Sequence, residues 1–146
     1  MTPLEDDPER GSAVVEFLGV ALLLLVPLVY LVLVLGEAQA AVFAAEGAAR
    51  DAGRIVAQAS DPHDAELLAA RAVEIAFADQ GIEVDGDAAL RISCQDECLA
   101  AGSTVLVEVD ATVPLPLVPS WLRSAVPLEV PVSAQAWTAV DQYRER

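Results

Sequence analysis

The sequence predicts an α+β fold: a long N-terminal helix, transmembrane at first and amphipathic afterwards, then a second helix and a small antiparallel sheet of about three strands. Three observations predict it. Residues 17–35 carry no charge, and such a run at ~1.5 Å rise per residue is about long enough to cross ~30 Å of hydrocarbon. Small apolar residues then recur at alternating spacings of four and three, the signature of a helix with one packed face. Beyond Gly81 the period drops to two, the signature of strands. With leader and span set aside, the remainder of the 146 residues makes one small domain at most.

Taken in order, the span comes first. Pro27 lies at its middle and removes an intrahelical hydrogen bond, which predicts a kink or a local loosening, with or without a function of its own. Tyr30 is too deep to anchor at an interface, so its hydroxyl calls for a partner on another helix. The helix is expected to continue past residue 36. Its seam is Val34, Ala38, Ala41, Ala45, Ala48, Ala52, Ile55 and Ala59, and the small side chains permit close approach either to the chain's own sheet or to another subunit.

Ser60-Asp61-Pro62 then stops one helix and starts the next, with Asp61 as N-cap and Pro62 as first helical residue. The second helix runs to about Asp79 with Leu68, Ala72, Ile75, Ala76 and Phe77 on its buried side, and Gly81 ends it. Asp85-Gly86-Asp87 reads as a hairpin turn. Strands are expected at 88–94, at 104–113 with Val105, Val107, Val109 and Val113 facing inward, and at 128–140 with Leu128, Val130, Val132, Ala134, Ala136 and Val140 on one face. Pro131 places the last of these at an edge. Pro114, Pro116, Pro119 and Pro127 bracket a segment that cannot be a central strand. Its Trp121 and Leu122 either cap the small core or meet a partner or the membrane surface.

The wording at the start of the span is Arg10-Gly11-Ser12-Ala13-Val14-Val15-Glu16-Phe17, which sets one carboxylate at the mouth of the apolar run. An ionisable group costs on the order of 2 to 3 kcal/mol at mid-membrane and much less near the interface. Glu16 therefore either marks the membrane boundary or serves a purpose inside the bilayer.

A Gly five residues before a Glu, followed by a long apolar helix, resembles the processing site of type IV prepilins. The residues around Gly11 and Glu16, together with Pro27, look most like the TadE-like family, the pseudopilins or minor pilins of tight-adherence (Flp) pilus systems. The resemblance is strongest over residues 10–55. It implies a type IV pilin-like architecture in three parts: a cytoplasmic leader at 1–11, a transmembrane helix at 12–36 and an extracytoplasmic domain at 37–146. It implies cleavage between Gly11 and Ser12 by a prepilin peptidase, and assembly through Glu16 and Phe17 with other pilus subunits and the pilus assembly machinery. Cleavage would give Ser12 a new amine, with which Glu16 of a neighbouring subunit could pair. A buried pair of that kind sets register more than it adds stability. Two features depart from the family: the leader is acidic (Glu5, Asp6, Asp7, Glu9), and Ser12 is small.

Composition narrows the classes further. The net charge is −15, and loss of residues 1–11, with four acids and one Arg, leaves −12. Such an anion repels nucleic acid, whose binding rests on Lys and Arg. Cys94-Gln95-Asp96-Glu97-Cys98 lacks the second ligand pair of a zinc site, and His63 is about 30 residues away. A disulfide between Cys94 and Cys98 is favoured over free thiols and belongs to an oxidising compartment. One Arg precedes the span and two (Arg50, Arg54) follow it, a slight lean toward a cytoplasmic C-terminus. The leader and the cysteines place the domain outside instead. His63 beside Asp61 and Asp64 reads as a solvated cap residue, and no phosphate loop, metal cluster or catalytic triad stands out. No enzyme, cofactor, metal or small-molecule substrate is expected. Three classes remain: a processed pilin-like subunit, an uncleaved single-span anchor with an extracytoplasmic protein-binding domain, and a secreted protein cut after Ala38-Gln39-Ala40.

Overall fold

The computed structural model describes residues 10–95, 97–118 and 129–143. It is α+β, with elements in the order α1 (Arg10–Gln58), α2 (Pro62–Ala78), α3 (Gly86–Ala89), β1 (Leu90–Cys94), β2 (Thr104–Pro114) and β3 (Glu129–Ala139). Residues up to Leu35 form one unit and residues from Gly36 onward a second. The leader residues 1–9, together with Asp96, Pro119, Trp121, Leu122, Pro127 and Leu128, lie outside the described residues.

In the second unit, α1 contributes Ala41, Ala44, Ala45, Ala48, Ala49, Ala52 and Val56 to a single buried cluster. Four of these belong to the seam read from sequence, so within this chain that seam packs on the chain itself. Ile55 and Ala59 are only half-buried, and Val56 takes the deeper place. Small residues suit this face because the sheet comes close. A Cβ built on Gly53 would sit 2.6 Å from Thr138 Oγ1 of β3.

Asp61 caps α2 as expected, its Oδ1 accepting from the His63 amide at 2.8 Å and the Asp64 amide at 3.2 Å. At the other end Gly81 has φ +74, which turns the chain so that the Ile82 amide donates back to the Phe77 carbonyl at 3.0 Å. The buried face of α2 differs from the sequence reading. Ala65, Ala69, Ala70, Val73 and Phe77 are buried, whereas Leu68 and Ile75 are exposed and Ala72 and Ala76 half-buried. Hydropathy favours the bulky stripe. Close approach favours the stripe with alanines at its centre, which lets Gly86 of α3 reach the Ala70 backbone, while Val73 and Phe77 fill the core and Phe77 keeps its expected place.

Asp85-Gly86-Asp87 is not a hairpin turn. Asp85 caps the short α3, its side chain accepting from the amides of Asp87 (3.1 Å) and Ala88 (3.2 Å). A Cβ on Gly86 would overlap the carbonyl oxygen of Ala70, so this glycine lets α3 lie against the α2 backbone. Ala88 consequently belongs to α3, and β1 starts at Leu90.

The sheet is antiparallel in the order β1-β2-β3, with Leu90 opposite Val109, Cys94 opposite Val105, and Thr104 to Pro114 of β2 running against Ala139 to Glu129 of β3. The register sets Val105, Val107, Val109 and Val113 on the buried face with Ile92, Val132 and Ala136. Pro131 lies on β3, an edge strand, as its missing amide requires. The opposite face is polar: Arg91 donates to Asp110 at 3.0 Å, and Gln135 to Glu108 at 2.6 Å.

Candidate assembly segment on the N-terminal helix

Gly11, Ser12, Glu16 and Phe17 all lie in the first turns of α1. Ser12 and Glu16 are four residues apart and so share one face of the helix. Both are exposed. Among the described residues Glu16 has no hydrogen bond or ion pair, and Phe17 is 71% exposed. Beyond them nearly all the large apolar side chains of residues 18–35 are exposed too, Leu23 at 73%, while Val34 is half-buried. The most apolar 18-residue window of the helix is not buried at all within the chain. A helix this long and apolar, near the N-terminus, could cross a membrane.

The helix runs uninterrupted through Pro27. Proline supplies no amide there, so the carbonyl of Leu23 one turn earlier loses its intrahelical donor. Tyr30 is 37% exposed, and its hydroxyl has no partner among the described residues. Both features leave polar groups on an apolar helix that only a neighbour or local water can satisfy.

Cys94 and Cys98 are joined by a disulfide, their Cα atoms 5.4 Å apart. Cys94 is the last residue of β1, so the bond closes the start of the connection to β2. Next to it Leu99 adopts φ 66, a left-handed conformation that costs a non-glycine residue about 1 to 2 kcal/mol. Its side chain packs against the core, which offsets that cost.

Chemically the described surface is plain. No group of three or more His, Cys, Asp or Glu residues that could hold a metal is found among the described residues. His63 is exposed at the start of α2. An open cleft beside Glu83 and Asp85 reaches Asp110, whose carboxylate is already taken by Arg91.

The sequence reading missed an apolar surface. Ile75 of α2 and Ile55 of α1 line an open groove between the two helices. The detectable signal is that α2 carries two apolar stripes, and only one can enter the core. Trp137 on the polar face of β3 is also 60% exposed. No protein-family model, curated protein or solved structure matches the chain.

Proposed function

We propose that this protein is a minor pilin or pseudopilin that takes part in assembling a tight-adherence (Flp, type IVb-like) pilus. It is held in the plasma membrane by one span, with the N-terminus cytoplasmic and residues 37–146 extracytoplasmic. Prepilin peptidase cuts after Gly11, and the subunit joins other pilus subunits and the assembly machinery through α1. It performs no catalysis.

The observation that carries this reading is Glu16. It is a carboxylate without a partner among the described residues, five residues after Gly11, at the start of an apolar stretch of helix whose most apolar window is not buried. A membrane anchor alone needs no charge at that depth, whereas a bundle of such helices gains a register from it. The disulfide and the acidic domain support the outward placement of the C-terminal part.

Mass spectrometry of the mature N-terminus tests the processing step. Ser12 as first residue is the expected result, an intact leader supports the uncleaved anchor, and Ala41 supports secretion. Glu16→Ala tests the assembly step: membrane insertion should persist while recovery with pilus components is lost. Normal surface pili in a deletion strain would defeat the assembly reading altogether.

A further inference from the structure

α2 carries two apolar stripes and buries only one. Leu68 and Ile75, seven residues apart and thus on one face, are 58% and 51% exposed. Ala72 and Ala76 beside them are half-buried. Across from Ala72, Ile75 and Ala76 stands Ile55 of α1, flanked by Asp51 and Arg54, and with Asp79 these residues line an open groove between the two helices, one turn beyond Leu68. An apolar floor between two helices, with exposed aliphatic walls, is the surface into which an amphipathic helix lays anchors at helical spacing.

Charge selects the occupant. Two carboxylates, Asp51 and Asp79, face one guanidinium, Arg54, along the groove, and the whole chain holds 23 acids against 8 arginines. Arg50, Arg71 and Arg91 are each taken by an acid of the chain, Glu46 at 3.5 Å, Glu74 at 2.5 Å and Asp110 at 3.0 Å. Among the described residues of the second unit this leaves Arg54 alone to receive an acidic visitor, and the groove that it lines also holds two carboxylates. A second copy, cut after Gly11, would bring its own net charge of −12, and an anionic lipid surface repels the domain in the same way.

The geometry points to the groove between α1 and α2 as the docking site for a basic amphipathic helix of a different protein. Its apolar side chains seat against Ile55, Ala72 and Ile75, and its Lys or Arg residues face Asp51 and Asp79. This inference rests on the assembly reading and deepens it: the subunit enters a mixed complex beside a basic partner instead of stacking on copies of itself.

The test replaces Leu68, exposed one helical turn before the groove-lining Ala72, with the photo-cross-linker p-benzoylphenylalanine in the full-length chain, expressed in the cells that make it, and maps the adduct by mass spectrometry. The expected adduct is a segment of another protein that carries net positive charge and apolar residues at helical spacing. Its yield should fall severalfold when isolated membranes are brought from about 0.05 to about 0.5 M salt before irradiation, and should be lost in Ile75→Gln. An adduct with a second copy, with lipid or with a segment lacking net positive charge overturns the inference, as does no adduct at all. Each of those results leaves the Glu16 reading standing, since Glu16→Ala is scored separately by recovery with pilus components.

Discussion

Residues 17–35 of α1 carry leucine and valine at every turn and leave nearly all of them exposed, whereas the residues that 41–56 of the same helix bury are mostly alanine. Hydrophobicity alone would rank these two stretches the other way round. The apolar stretch packs on nothing among the described residues, and its length and composition suit a helix that could cross a membrane. The alanine stretch lies against α2 and the sheet, and there the separation between backbones decides what fits. Burial in the second unit is therefore a matter of close approach. In the first unit nearly all the apolar side chains are left exposed among the described residues.

Substitutions in the two regions should differ sharply in their effect on unfolding of the second unit. Phe77→Ala should have the largest effect. Phe77 is fully buried and among the largest such side chains, and its removal should cost about 3 to 5 kcal/mol in urea unfolding followed by near-ultraviolet circular dichroism. Gly86→Ala comes next at about 1 to 3 kcal/mol, because the added carbon meets the Ala70 carbonyl, a backbone atom held within α2. If Gly86→Ala proved neutral, α3 would not lie as close to α2 as described. Asp61→Ala should cost about 1 kcal/mol, the loss of a cap that satisfies two amides. Leu23→Ala should leave unfolding of the second unit within about 0.5 kcal/mol of the parent, since Leu23 touches no part of that core. A larger change would mean that the apolar stretch contributes to the fold of the domain.

Much of the second unit can be read from residue types. Asp61-Pro62 marks a helix start because an oxygen acceptor and a residue without an amide are what that position uses. The alternation Val105, Val107, Val109 marks the buried face of β2 because strand side chains alternate. Pro131 marks an edge because it cannot donate to a ladder. The rotation of α2 cannot be read this way. Leu68 and Ile75 outrank Ala65 and Ala69 on any hydropathy scale, yet the smaller pair is buried. The turn at Asp85 fails for a related reason. Asp-Gly is equally good chemistry for a hairpin and for a helix cap, and only the nearness of Ala70 to Gly86 distinguishes them.

The candidate site divides along the same line. Gly11, Ser12, Glu16 and the apolar run stand in linear order, so their spacing along one helix follows from the sequence as soon as the helix is recognised. The groove of Ile55 and Ile75 joins residues of two helices, and no spacing in the sequence reveals it. The sequence by itself thus determined the elements, the membrane-length helix and the strand faces, because these depend on local periodicity and on which residues can cap, turn or donate. Only the tertiary structure decided which stripe of α2 is buried, where α3 replaces a turn, and that an apolar groove is left open. Those outcomes depend on how closely two backbones approach, a distance set by both surfaces together.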